Sequence, residues 1–224
     1  MRLAERLTEI DKLLANLRLS AIIDSGTLLG LTREGELIPG DNDLDLSALD
    51  WGREDIRRTM EALREIGFAT RLKFIAGKPT AIFGWRRRDA LLMSISLFSS
   101  RANGYFWKPA DFVPTFVRRS TEEVSTALRA AKKLVRLRRY SQAWQSATGR
   151  VDRVWFLHSQ SRRVFGLWVV PESFFIRVHV ASGYTSLYIP DDVEGYLMLC
   201  YGENWRTPNG NWNTWRDDGR VWHY

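Results

Sequence analysis

The chain has 224 residues, 45% hydrophobic and 26% charged, with a formal net charge of +7. That length suits one good-sized core, or one domain with a substantial appendage, and the balance excludes a disordered chain. No apolar run is long enough to span a bilayer, and the single cysteine, Cys200, excludes an internal disulfide and fits a reducing compartment.

The opening "MRLAERLTEIDKLL" carries charges at every turn, so no secretory leader is expected. Leu3, Leu7, Ile10, Leu14 and Leu17 recur at helical spacing and predict an amphipathic helix. "LSAII" reads as a short apolar strand running into Asp24-Ser25-Gly26, and "TLLGLTRE" resumes helical character until Gly35 and Pro39-Gly40 punctuate a loop. "DLDLS" alternates strictly and reads as a strand, while "REDIRRTMEALREIGF" places Ile56, Met60 and Leu63 on one helix face. "ATRLKFIAGKPTAIFGW" predicts two strands about a Gly-Lys-Pro turn, and "ALLMSISLF" a third.

A second part is expected from Pro114, giving parts 1–113 and 114–224 that share one packed unit. "TEEVSTALRAAKKLVRLRRY" puts Val124, Leu128, Ala131 and Val135 on one helical stripe, and "VFGLWVV" and "FFIRVHV" read as strands. A further helix is expected from Asp191 to Gly202, with Val193, Tyr196, Leu197 and Cys200 inward. Cys200 there reads as a small hydrophobe, and His158 and His179 as satisfied core histidines. With His223 they show no zinc-ligand spacing. Of the tail tryptophans, Trp212, Trp215 and Trp222 read as a clamp holding the tail to the body, whereas Trp205 suits either clamp or ligand stacking.

Charge is distributed unevenly. From Arg118 to Arg153 ten Lys/Arg face three acids, a local net of +7. Such a block suits a solvated helix face, an anionic membrane surface, a polyanionic substrate or nucleic acid. It lacks any RNP-type, KH-type or zinc-knuckle pattern, so specific nucleic-acid binding is not expected. Conversely, Glu34, Glu36, Asp41, Asp43, Asp45 and Asp50 crowd between Arg33 and Arg53.

In a strand Asp43 and Asp45 share one face and Leu44 and Leu46 the other, so the leucines enter a core while the carboxylates either form a plain solvated acidic face or can converge on one ion. Mg²⁺ is commonly held by one or two carboxylates plus substrate phosphates, and a cation there relieves their mutual repulsion. An EF-hand starting at Asp41 fails, with Leu46 and Gly52 at the positions needing Gly and Glu. A Walker-A loop fails because Leu31-Thr32 follow Gly30. Upstream, Ser25-Gly26-Thr27 at a strand-to-helix junction form an expected anion cradle, with Arg33 placed to grip a phosphate. Cradle, arginine and acidic strand together are the layout of a metal-dependent phosphoryl or nucleotidyl transferase.

"GTLLGLTREGELIPGDNDLDL" resembles the signature of the LicD/fukutin family at Gly26, Thr27, Leu28, Leu29, Gly30, Arg33, Ile38, Pro39, Asp41, Asp43 and Asp45. "IPDDVEGYLMLCYGENWRTP" resembles that family's closing block at Pro190, Tyr196, Leu197, Tyr201, Gly202, Trp205 and Pro208. The resemblance implies an α/β (α+β) nucleotidyltransferase-like mixed sheet flanked by helices, with a helical and strand C-terminal extension packed on it. It implies transfer of a phosphorylated alcohol, such as phosphocholine or ribitol phosphate, from a CDP-linked donor to a glycan or lipid-linked glycan hydroxyl. By the same resemblance Asp43 and Asp45 hold Mg²⁺ or Mn²⁺, with Asp41 a further catalytic acid, and Ser25, Gly26, Thr27, Gly30, Arg33 and Ser96 bind the donor. Tyr201, Trp205 and Arg206 contact donor or acceptor. A cytoplasmic protein is expected, with the basic segment at an anionic acceptor or the inner membrane face.

The pattern departs at Gly40, where the family has Trp, at Asn42, and at Ile95-Ser96-Leu97-Phe98, where a third carboxylate belongs. Asp41, Asp24 or Asp89 replaces that group, the acceptor brings its own anion, or the protein binds the donor without turnover. A catalytically silent nucleotide- or phosphoglycan-binding protein is therefore the second reading, and an RNA-binding protein the third.

Overall fold

The computed structural model describes residues 3–75, 77–101, 104–112, 164–176, 178–212 and 214–223. The chain divides into two compact units, one of Met1–Ala110 with Leu167–Trp222, the other of Asp111–Gly166 with His223–Tyr224. The C-terminal block from Leu167 groups with the first unit. The basic 118–153 segment, its expected helix and His158 lie outside the described residues.

The first unit is a mixed sheet with helices on it. Strand β1 (Ala21–Ile23) pairs antiparallel with β2 (Asp43–Leu49) and parallel with β9 (Leu187–Pro190). Strand β5 (Leu91–Arg101) runs parallel to β2, antiparallel to β4 (Lys78–Arg86), and at its end antiparallel to β6 (Tyr105–Phe112). Strand β3 (Ala69–Ile75) closes a hairpin onto β4 through Gly77 at φ +75°. Beyond β6 come β7 (Val164–Pro171) and β10 (Val221–His223), and beyond β9 lies β8 (Val178–Val180).

The period-two pattern of β2, β4 and β5 decides which face the helices cover. Leu44, Leu46, Ile82, Met93 and Ile95 are buried together with Leu7, Ile10 and Leu14 of α1 (Leu3–Leu17) and Ile56 and Leu63 of α3 (Arg53–Glu65). Two charged groups fasten α1 to this core. Arg86, 1% exposed, pairs with Glu9 of α1 at 2.6 Å and Asp89 at 2.8 Å. Asp11, on the apolar face of α1, accepts the backbone N–H groups of Thr185, Ser186 and Leu187 at 2.7–3.1 Å and so anchors the start of β9. A buried carboxylate is tolerated when backbone donors surround it this fully.

The expected strand "FFIRVHV" is corrected. Glu172–Ile176 forms a short helix, α4, and only Val178–Val180 is strand. Helical turning brings the Phe175 ring within 5.4 Å of Phe98, 5.8 Å of Phe106 and 5.6 Å of Tyr196. Aromatic burial of this kind outweighs the local strand propensity. His179 is corrected too: its side chain is 51% exposed, 3.6 Å from Asp191, and not in the core. The helix expected near Asp191 is α5 (Val193–Tyr201), with Cys200 fully buried and its thiol pKa pushed up by that burial. A last short helix, α6, spans Thr214–Asp217. Among the described residues no helix is long and apolar enough to cross a membrane.

Between β1 and β2 lies α2 (Ser25–Glu34), and Gly30 sets how closely the following loop returns over it. A Cβ there would stand 2.5 Å from the Glu36 carbonyl oxygen and 2.9 Å from the Ile38 amide nitrogen, both backbone atoms. Gly30→Ala is accordingly expected to destabilise the fold by about 1–3 kcal/mol, read as a lower urea midpoint with an unchanged slope. An unaltered midpoint would show that the loop gives way freely.

Candidate active site

The first turn of α2 and the acidic start of β2 are stitched together atom by atom. Asp24 caps the helix, accepting from the Ser25 N–H at 2.5 Å, and Ser25 takes the left-handed conformation, φ +47°. The Gly26 N–H then donates to Asp45 Oδ2 at 3.2 Å. Thr27, fully buried, accepts from the Asp45 N–H at 2.8 Å and donates to the Asp43 carbonyl at 3.3 Å. Ser94, opposite Asp45 on β5, donates to its Oδ1 at 2.8 Å. Asp41 accepts the Asp43 N–H at 3.0 Å, and its Oδ2 and that of Asp45 both lie 3.3 Å from where a Gly26 Cβ would stand. Any side chain at 26 would therefore crowd both carboxylates.

Three acids at one strand end repel one another. Burial, with Asp24, Asp43 and Asp41 nearby, pushes the Asp45 pKa up to about 6 despite the Ser94 hydrogen bond. Burial and Asp41 also raise Asp43. Asp43 Oδ1 is buried without a hydrogen-bond partner. An orphaned carboxylate oxygen inside a cluster of raised pKa values fits a divalent cation, which would satisfy the oxygen and cancel the repulsion. Among the described residues no group of three or more His, Cys, Asp or Glu side chains forms a metal cluster, so the fit rests on the Asp43–Asp45 pair.

A cleft of about 1000 Å³ opens beside Asp45. Ser25, Gly26, Arg33, Asp41 and Asp45 line one side of it. Tyr201, Trp205 and Trp212 line it too, with Tyr201 and Trp212 ring centroids 5.0 Å apart. The indole N–H groups of Trp205 and Trp212 are buried and have no protein acceptor. Trp212, expected only to clamp the tail, is thus a wall of the cleft.

Other expected positions fall elsewhere. Thr27 holds β2 to α2 and Gly30 packs against the 36–38 backbone; neither lines the cleft. Arg206 turns outward, pairing with Glu194 and stacking on Trp205 at 4.3 Å. Arg33 is in the lining, with its Nε donating to Glu34 at 2.7 Å. Of the replacements for the missing acid, Asp89 is committed to Arg86 and Asp24 lies deep in the core, which leaves Asp41 beside Asp45.

Two buried cations were not anticipated. Arg220, 1% exposed, donates to Asp24 at 2.8 Å, to Asp218 at 2.8 and 3.0 Å, to the Tyr196 hydroxyl at 2.8 Å and to Ser25 Oγ at 3.2 Å. Burial alone would raise the Asp24 pKa, but Arg220 together with Ser47, Tyr196 and the Ser25 N–H holds it below the ordinary carboxylate range. Lys108 of β6 donates to Ser96 Oγ at 2.5 Å and sits 4.1 Å from the Trp168 ring centroid. Where the family's third carboxylate was expected, a serine accepts from a lysine instead. Burial lowers the Lys108 pKa to about 7. Lys108 stands within a strand and Arg220 just before one, and residue type alone would have placed both in solvent.

Two expectations follow. Arg220→Met leaves Asp24 and Asp218 buried without their counter-charge and should cost about 3–5 kcal/mol in denaturant unfolding near neutral pH. A loss under 1 kcal/mol, within the range of an exposed pair, would contradict the burial. For Lys108, the folded pKa of about 7 lies below the unfolded value of 10.5, so the unfolded chain binds more protons between them and stability rises with pH across that window. Lys108→Met should therefore stabilise by on the order of a few kcal/mol below about pH 7, with the advantage shrinking towards pH 10. A gain independent of pH would refute the assignment.

Residues 18–169 match the family described as LicD/FKTN/FKRP, nucleotidyltransferase domain. The matched span includes Ser25 to Asp45, Ser96 and Lys108, and it ends before the Tyr196–Pro208 block. No curated protein matches the chain. Matched over more than half its length, the chain belongs to the LicD/FKTN/FKRP family.

Proposed function

We propose that the chain is a metal-dependent transferase that moves a phosphoryl-alcohol group from a CDP-linked donor onto a glycan hydroxyl. The observation that carries this reading is the Asp43–Asp45 pair, with an orphaned Asp43 Oδ1 and an elevated Asp45 pKa, whose Asp45 lines a large cleft together with Arg33. Family membership supports phosphotransferase chemistry in general; the CDP-linked donor and glycan acceptor are what the resemblance to that family implies.

Asp43 and Asp45 would hold Mg²⁺ or Mn²⁺. When bound, the ion neutralises charge developing on the CMP leaving group. Arg33 pairs with the donor diphosphate, for which its planar guanidinium is suited. Tyr201, Trp205 and Trp212 offer aromatic faces for the cytosine ring, and the two unpartnered indole N–H groups offer donors to it or its ribose. Gly26 and Thr27 act on the aspartates rather than on the phosphate, fixing β2 against α2. Asp41, beside Asp45, lines the same cleft as Arg33 and adds to the negative charge that an ion there would neutralise.

Asp43→Asn and Asp45→Asn should each lower CMP release from CDP-choline or CDP-ribitol by at least ~100-fold, and should abolish the rise in melting temperature on adding Mn²⁺, while the fold persists. Full activity in the double variant would refute the site.

Lys108 beside Ser96 favours a second reading, a donor-binding protein without turnover, since a cation stands where a third acid was expected. Calorimetric binding of the CDP-alcohol with no CMP released under either metal would establish it over the first.

A further inference from the structure

The two aspartates face a second space. Strand register sets them at the end of two rungs crossing four strands. Asp43 lies opposite Leu92, Trp85 and Ala69 in turn, and Asp45 opposite Ser94, Phe83 and Arg71. Because side chains alternate, all of these occupy one face of the sheet. The other face carries Leu44, Leu46, Met93, Ile95 and Ile82 and is packed under the helices. The first face is open: Phe83 is 41%, Trp85 42% and Leu92 39% exposed.

A groove of about 380 Å³ lies along that face, bounded by Asp43, Asp45, Arg71, Phe83, Trp85 and Ser94. The main cleft reaches Asp45 from the side of Asp41 and Arg33. Asp45 therefore borders both spaces, and the larger, about 1000 Å³ with Arg33, Tyr201, Trp205 and Trp212 in its wall, has the room for a nucleoside diphosphate. In-line displacement needs the attacking hydroxyl and the leaving group on opposite sides of the transferred phosphorus.

We propose that this groove is the acceptor subsite and that it takes a sugar ring bearing, or adjoining, an anionic group. The inference rests on the transferase reading above. Trp85 and Phe83 present aromatic planes to the apolar face of a pyranose, and Asp43, Asp45 and Ser94 form a hydrogen-bonding rim for its hydroxyls at the end where chemistry occurs. Arg71, on the same rung as Asp45, meets the anion and compensates the acidic end of the groove. The volume is near the lower end of small-molecule sites, about 300–1,000 Å³, and suits a chain terminus rather than a protein surface. The reaction joins the acceptor oxygen to the transferred phosphorus as the bond from phosphorus to the CMP oxygen breaks. The hydroxyl proton is lost to solvent through the open groove and the electron pair leaves with CMP.

The test uses the full chain labelled with 5-fluorotryptophan, with the Trp85 resonance assigned from Trp85→Phe. It is titrated, without donor, with glucose, galactose, N-acetylglucosamine and N-acetylgalactosamine and with the 6-phosphate of each, up to tens of millimolar. At least one sugar should shift the Trp85 signal, and its phosphate should bind more tightly than the neutral parent. Arg71→Gln should remove that preference, about threefold for one exposed ion pair. Silence of Trp85 across the panel overturns the proposal, as does a phosphate preference that survives Arg71→Gln. CDP-choline with Mg²⁺, titrated separately, should shift Trp205 and Trp212. A perturbed Trp85 in its place overturns the two-sided arrangement. If CDP-choline perturbs none of them while sugars still shift Trp85, the transferase reading fails and the sugar subsite stands.

Discussion

A buried arginine between two buried carboxylates holds the working end of this protein together. Arg220 reaches from just before the last strand to the cap of α2, where Asp24 both starts the helix and receives the guanidinium. Moving such charges out of water is costly, so the arrangement is stable only because nearly every proton and lone pair is matched: Asp218, Tyr196, Ser47 and Ser25 supply the remaining partners. One consequence is geometric. With Asp24 and Ser25 held, the Gly26 N–H is aimed at Asp45, and the acidic strand is registered against the helix. Another is topological, since the C-terminal residues that line the cleft are bound to the N-terminal ones that carry the acids.

The concentration of carboxylates in an otherwise basic chain follows from this frame. Asp43 has a carboxylate oxygen with no hydrogen-bond partner, and burial makes the ionisation of Asp43 and Asp45 unfavourable. Behind them, Lys108 and Arg220 supply positive charge from within the core, close enough to act on Asp24 and Asp45. The aspartate pair nonetheless keeps raised pKa values and an unpartnered oxygen, so it is a place where an added cation has much to gain.

The same pair also divides space. Alternation along β2 sends the leucines into the helix-covered core and the aspartates to the open face, and the parallel pairing with β5 lines them up with Ser94, Phe83 and Arg71. The large cleft on one side and the smaller groove on the other are both consequences of where that open face stops being covered. In the proposed reaction, donor and acceptor approach the carboxylates from those two directions.

Much of this was legible in local sequence. The helix of Leu3–Leu17, the alternation of "DLDLS", the strand–helix junction at Asp24-Ser25-Gly26 and the acids after it follow from periodicity and turn chemistry, which act over a few residues. Trp212 in the cleft wall, the helix at Glu172–Ile176, the exposure of His179 and the outward turn of Arg206 did not, because each depends on partners distant in the chain. Asp11 against Thr185, Lys108 against Ser96 and Arg220 against Asp24 are of the same kind. A buried charge is invisible to pattern reading: its residue type signals solvent, and only the tertiary fold brings the counter-charges that let it stay inside. The sequence by itself determined which residues could do the chemistry; long-range ion pairs decided where they stand and which way each one faces.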